Sequence, residues 1–229
     1  MEETGNYLHL NGVISSAPTY GHEVFGEKFY YATLSVPRLS GAEDLLPITL
    51  SERLIDSTSI DIGTPLAFEG QLRSYNKVIE GSGRLLITGF AQRLTATDAD
   101  ENPNQVQLSG ALCKPPSYRT TPFGREIADL MVAVNRAYGK SDYIPCITWG
   151  RTARFASHLS VGDRVQLVGR FQSRAYQKQL ADGTIIEKMA YEVSVARLSI
   201  PQDQPAVNAP MHHYDPLSAD SSHLYTTRQ

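Results

Sequence analysis

Cysteine is scarce in this sequence, tryptophan scarcer, and long hydrophobic runs are absent. The two cysteines, Cys113 and Cys146, make no metal-ligand spacing. In a reducing compartment they are expected as buried thiols, not as a disulfide. No stretch reaches the roughly 18 apolar residues of a membrane-spanning helix. The opening Met-Glu-Glu-Thr-Gly-Asn is acidic and polar, unlike a signal peptide, so a cytoplasmic protein is expected. Catalytic signatures are missing as well. There is no GxSxG, HExxH or CxxC, and no Walker-type loop; Glu80-Gly-Ser-Gly-Arg84 reads as a hairpin turn. His212, His213 and His223 fall in a segment without the fixed geometry a metal site needs. Carboxylates are scattered. The expectation is a protein that is not an enzyme and has no metal or cofactor.

What the chain does have is a repeat. Asn6-Tyr-Leu-His-Leu-Asn-Gly12 aligns with Asn104-Gln-Val-Gln-Leu-Ser-Gly110 at an offset of 98. The same offset pairs Pro18 with Pro116, Tyr20 with Tyr118, Arg38 with Arg136, Asp44 with Asp142 and Arg53 with Arg151. Gly70 pairs with Gly169 and Ser74 with Ser173 at 99, and Tyr75 with Tyr176 and Lys77 with Lys178 at 101. Such slips belong in loops and strand ends. The chain therefore divides into a first, degenerate domain at 1–94, a polar linker at 95–103, a second domain at 104–198 and a tail at 199–229. The tail is rich in Pro, Asp, Ser and His, and disorder is expected there.

Within the second copy, alternation predicts a first strand through Val106, Leu108 and Leu112, with a bend at Gly110 and an end at Pro115-Pro116. Thr120–Gly124 reads as a turn, Glu126–Asn135 as a second strand and Asp142–Trp149 as a third. A short helix is expected over Thr152–His158. A fourth strand follows through Val165, Leu167, Gly169 and Phe171, then a hairpin at Ala181-Asp-Gly183 and a fifth strand through Tyr191, Val193 and Val195. Three strands, a helix and two strands is the OB-fold order. The fold class expected is all-β: two tandem OB-fold five-stranded barrels, each with a short helix between strands 3 and 4. Another small all-β barrel is the alternative.

The second copy resembles the bacterial single-stranded-DNA-binding protein (SSB) family across Asn104–Leu198. The resemblance is carried by Asn104-x-Val-x-Leu-x-Gly110, Ala133-Val-Asn-Arg136, Asp142-Tyr-Ile-Pro-Cys-Ile-Thr-Trp-Gly150, Leu159-x-Val-Gly-Asp-x-Val165 and Gly169-Arg-Phe-Gln-Ser-Arg-Ala-Tyr176. It implies single-stranded DNA binding in replication, recombination or repair, with a nucleoid-associated location. It also implies a homodimer that supplies four barrels. The segment Ser222–Gln229 departs from the family's acidic, hydrophobic-tipped tails. RNA shares the same groove chemistry. A protein-docking accessory of replication restart or conjugation, with little nucleic-acid affinity, is the alternative function.

Single strands are held by cations along the backbone and aromatic rings under the bases. Strand parity puts Tyr143, Ile147 and Trp149 on one face, and Arg170, Gln172, Arg174 and Tyr176 on another, opposite Val165, Leu167 and Phe171. Trp149, Tyr143 and Tyr176 fall where the family's aromatic residues stack on bases. Arg174, Arg170, Arg151 and Lys178 are expected beside them at phosphates. Arg136 and Arg119 are added, with Arg119 in a loop that folds over the strand. Charge separates the copies. Asn104–Leu198 has 13 Lys+Arg against 7 Asp+Glu, whereas Asn6–Leu94 has 7 against 9. The first copy has Ser51 where the second has Trp149, and Leu45 where it has Tyr143. The expectation is that the second copy binds and the first binds weakly or serves assembly.

Overall fold

A computed structural model describes residues 5–79, 82–97, 102–136, 139–179 and 182–201. The first copy contains β1 (Asn6–Val24), β2 (Glu27–Pro37), β3 (Glu43–Ser51), α1 (Glu52–Asp56), β4 (Pro65–Ile79) and β5 (Ser82–Thr95). The second contains β6 (Asn104–Leu112), β7 (Ser117–Thr120), β8 (Glu126–Asn135), β9 (Ser141–Trp149), α2 (Gly150–Ala156), β10 (Arg164–Gln179) and β11 (Ile185–Ser199). In each copy five strands close on themselves. The circuit β1-β2-β3-β5-β4 returns to β1, and β6-β8-β9-β11-β10 returns to β6. The third strand pairs in parallel with the fifth in both, through Ile48↔Gly89 and Cys146↔Val193. The linker expected at 95–103 lies partly, and the tail almost wholly, outside the described residues, as do His212, His213 and His223.

Alternation fills the interior. Leu8, Leu34, Leu46, Ile48 and Leu72 line the first barrel, and Val106, Val132, Ile144, Cys146 and Phe171 occupy the equivalent places in the second. The large ring has changed level between copies. The first has Phe68 and Leu72 where the second has Leu167 and Phe171, all essentially buried. Total volume is thereby kept, which cores tolerate. Two glycine pairs allow the strands to bend. A Cβ on Gly12 or Gly110 would strike the carbonyl of Ser35 or Ala133 on the neighbouring strand. Gly70 and Gly169 sit at equivalent register shifts, where the fourth strand meets the fifth.

Three local expectations need correction. The first is the stretch after Pro115-Pro116, which is not simply loop. Ser117–Thr120 forms β7, an edge strand paired to β8 through Ser117↔Asp129 and Thr120↔Glu126. Arg119 therefore stands on a strand. Proline interrupts the first strand here but not in the first copy, where Pro18 lies inside a register shift between Ser16 and Thr19 and β1 runs on. The second is α2, which begins two residues early because Gly150 takes φ +52 and turns the chain directly from strand to helix. The third is the slip to an offset of 101. Past Gly169, β10 pairs with β11 without further shift. Tyr176 therefore holds the place of Lys77, and Tyr75 that of Arg174.

The copies meet about a local two-fold axis. β1 and β6 pair antiparallel, with Leu8 opposite Val106, Asn6 opposite Leu108 and Leu10 opposite Asn104. Since Leu8 and Val106 are repeat equivalents, the axis passes between them. Two reciprocal ion clusters flank this seam. Asp142, with no exposed surface, accepts from Arg136 Nε of its own copy at 2.5 Å, and from Ser74 N at 2.5 Å and Arg73 Nη1 at 3.0 Å of the other. Asp44, 1% exposed, accepts from its own Arg38 Nε at 2.8 Å, and across the junction from Ser173 N at 2.8 Å and Arg170 Nη1 at 3.0 Å. Arg136 Nη2 also donates to Ser74 O at 3.0 Å, as Arg38 Nη2 does to Ser173 O at 2.8 Å. Ser74 and Ser173, Arg38 and Arg136, and Asp44 and Asp142 are matched pairs of the repeat. Removing either carboxylate strands two arginines and a buried N–H. Asp142→Ala and Asp44→Ala are each expected to cost about 2–4 kcal/mol, reduced from the fully buried case because the arginines are partly exposed. Urea unfolding of each variant measures this.

Candidate nucleic-acid interface

Trp149 closes β9 in extended conformation, opposite Ile127 on β8, with 39% of its surface exposed. It holds that position because Gly150 ends the strand immediately after it. Arg151 follows in the first turn of α2, exposed and without an ion pair among the described residues. Tyr143 lies six residues earlier on β9, roughly 20 Å away at 3.3–3.4 Å per residue. It is half-buried, and its amide donates to Ser74 Oγ of the first copy at 2.8 Å. Tyr176 stands on β10 opposite Lys188, 38% exposed. Extending the β9–β11 register from Cys146↔Val193 brings the hairpin end carrying Tyr176 to the Tyr143 end of β9. Tyr143 and Tyr176 thus share one end of the barrel face and Trp149 marks the other.

The cations divide into three groups. Arg136 and Arg170 are committed to Asp142 and Asp44 at the junction. Arg174 and Arg119 have their own carboxylates. Arg174 Nε and Nη2 donate to Glu192 at 2.9 and 3.1 Å, and Arg119 pairs with Asp129. The Glu192 hydrogen bond raises the Arg174 pKa above its ordinary value. Arg151 has no ion pair among the described residues, and Lys178 lies on β10 with its side chain outside the described atoms.

Two parts of the expected outward rows are not open. Ile147 is 2% exposed and interrupts the row between Tyr143 and Trp149. Gln172 is 6% exposed and donates to Glu192 Oε1 at 2.9 Å, while accepting from Arg170 Nη2 at 3.0 Å. Simple alternation placed both in water because it follows one strand at a time, and cannot see that Arg170 and Glu192 of the same barrel close over Gln172. Sequence reasoning also missed the role of Asp44, Asp142, Ser74, Ser173, Arg38 and Arg73. The signal was present, since most of these residues are matches of the repeat.

Among the described residues, no group of three His, Cys, Asp or Glu side chains is placed to hold a metal ion. No described helix is long and apolar enough to cross a membrane. Both cysteines are free. Burial, with Glu192 nearby, pushes the Cys146 thiol far above its ordinary pKa, and burial also raises that of half-buried Cys113. The thiolate is the reactive form. Iodoacetamide at neutral pH is therefore expected to label Cys113 slowly and Cys146 only after unfolding, as peptide mass mapping would show.

The arrangement of strands and helices is that of two tandem OB barrels. The chain superposes on wild-type single-stranded DNA binding protein from Thermus aquaticus with a TM-score of 0.63 over 89% of this chain and 96% of that one, at 21% identity. A deletion mutant of the same Thermus protein gives a TM-score of 0.63 at 20% identity. At these identities the likeness establishes the fold. Residues 103–200 match the Single-strand binding protein family. Bacillus subtilis (strain 168) single-stranded DNA-binding protein B is 36% identical over 83 residues, 33% of this chain and 74% of that protein. Staphylococcus aureus (strain COL) single-stranded DNA-binding protein 1 is 40% identical over 83 residues, 33% of this chain and half the length of that protein. The chain belongs to the single-strand binding protein family.

Proposed function

We propose that this protein binds single-stranded DNA, largely without regard to sequence, in replication, recombination or repair, and that it acts without catalysis. The carrying observation is the pair of rings Trp149 and Tyr176, each more than a third exposed on the face of a barrel with a net positive balance. Isolated aromatic rings in water are costly, and bases supply flat partners worth about 1–3 kcal/mol per stack. Tyr143 adds a third platform beside the junction. Arg151, Lys178 and Arg174 supply phosphate contacts, Arg174 by exchanging Glu192 for a phosphate oxygen. Arg170 and Arg136 act by holding the barrels in place, and Arg119 by exchanging Asp129. A homodimer with four barrels, in the cytoplasm on the nucleoid, belongs to the same reading. RNA has the same bases and phosphates, so a matched RNA oligomer belongs beside DNA in every titration.

Trp149 is the only tryptophan. Titration with poly-dT is expected to quench its emission, and Trp149→Ala to weaken binding by about tenfold or more. An unquenched tryptophan together with no affinity at low salt would reject this function and favour a protein-docking role. A second test uses Glu192, which holds Arg174 and Gln172. Glu192→Gln is expected to tighten binding at low salt and to steepen the salt dependence by about one phosphate contact.

A further inference from the structure

Two phenylalanines stand almost wholly in water at matched places in the repeat. Phe25 is 105% exposed at the tip of the β1–β2 hairpin, and Phe123 is 92% exposed in the turn between β7 and β8. No other phenylalanine exceeds 42%. Each of the two is followed by a glycine in the left-handed region, Gly26 at φ +81 and Gly124 at φ +73. Val24 pairs with Glu27, so Phe25-Gly26 is a two-residue turn with positive φ at both places. Asparagine, aspartate or glycine normally fills the first of these places. Phe25 fills it at φ +50, and is the one described non-glycine residue with positive φ. A β-carbon is strained there. The ring therefore carries backbone strain and exposure together, without packing on its own barrel.

The charges around the two tips are opposite in sign. Phe25-Gly-Glu-Lys28 is matched in the repeat by Phe123-Gly-Arg-Glu126, with both signs reversed. Lys28 is paired with Glu52, and Glu27 with Arg53. Glu126 is paired with Arg154 and accepts from the Tyr118 hydroxyl at 2.5 Å. That leaves Glu23 near Phe25 and Arg125 near Phe123, both exposed and without an ion pair among the described residues. The first tip is thus acidic and the second basic. The local two-fold between β1 and β6 places them on opposite flanks of the paired barrel.

We propose that the two tips are complementary ends through which successive copies of this chain join head to tail along one single strand, with Phe25 of one copy packed beside Phe123 of the next and Glu23 meeting Arg125. The inference rests on the function proposed above and adds a protein contact to it. Charge complementarity points to a second copy as the occupant, since each tip offers the counter-charge of the other and a ring of the same kind. Aromatic pairs gain from edge-to-face or offset contact. Two identical tips would instead set Glu23 against Glu23, or Arg125 against Arg125. A nucleic-acid strand has a direction, so identical proteins bound along it in one orientation present unlike ends to each other, and such a contact continues without closing. The interface is small, far below that of a stable complex, so free chains associate weakly. On a shared strand neighbours are held at high effective concentration, and a weak contact becomes cooperative binding.

The test titrates the full chain with a dT oligomer that accommodates one protein and with poly-dT, and sediments the free protein at high concentration. The parent is expected to prefer sites next to a bound protein on poly-dT and, without DNA, to keep growing in mass past a dimer as concentration rises. Phe25→Asn puts a residue suited to positive φ into the turn, so it is expected to raise the melting temperature. It is also expected to lower the preference for neighbouring sites about tenfold while leaving affinity for the short oligomer unchanged. Arg125→Glu is expected to lower that preference as well, and Glu23→Lys in the same chain to restore it, because the ends then match with signs exchanged. A preference that is absent in the parent, unchanged in Phe25→Asn, or not restored by Glu23→Lys overturns the inference and leaves the proposed function standing. Weaker short-oligomer binding by Phe25→Asn assigns the ring to the DNA and overturns it too. A chain that binds no oligomer overturns the proposed function, and sedimentation of Phe25→Asn against the parent then decides the contact alone.

Discussion

Two carboxylates, Asp44 and Asp142, lie out of water where the barrels meet, and the junction is arranged around them. A buried charge is tolerated only when it is fully paired. Each of these carboxylates draws one arginine from its own copy, one from the other, and a backbone N–H from across the seam. Such clusters contribute less to net stability than their geometry suggests, because desolvation offsets much of the attraction. What they contribute is selectivity. A docking shifted by one residue along β1 and β6 would bury both acids without partners, so one arrangement is favoured strongly over its neighbours.

The clusters also show how two copies of one sequence diverge under a shared constraint. In the first copy the arginine that crosses the junction is Arg73, with Gln71 two residues before it. In the second it is Arg170, with Gln172 two residues after it. Arg73 and Gln172 are equivalent positions, as are Gln71 and Arg170. The residues have exchanged places while each acid retains a cation from the opposite barrel. The same exchange occurs in the core, where Phe68 and Leu72 face the roles of Leu167 and Phe171. On the outer face Trp149 gives way to Ser51 while Phe29 and Phe90 appear alongside. At the junction and in the core the physical requirement is kept and the position that meets it moves.

That behaviour accounts for what was legible in the sequence. Periodicity located the strands of the second copy closely, because one face of each is buried and the other is not; the bounds of β8 matched outright. The short helix and the glycine bends were visible for the same local reasons. Position-by-position comparison, however, registers a moved residue as a lost one. It compared Ser51 with Trp149 alone, whereas a sheet face is assembled from neighbouring strands, here with Phe29 of β2 opposite Ser51 and Phe90 of β5 opposite Thr49, and that pairing is not written in either strand. It also placed Arg136 and Arg170 at phosphates; Arg136 is held by Asp142 six residues on in its own copy, and a lone barrel gives no hint that Asp44 of its twin waits beside Arg170.

The seam between β1 and β6 has a consequence for behaviour at low abundance. Two separate chains joined by five facing residue pairs and two ion clusters would part as they were diluted, since association follows concentration. Here the halves are joined by residues 96–103, and a short tether holds them at an effective concentration of about millimolar whatever the amount of protein in the cell. The paired barrel is therefore the unit that a cell with only a few copies would still possess. Each half is also free to accumulate its own substitutions, because a change in one is no longer made in both.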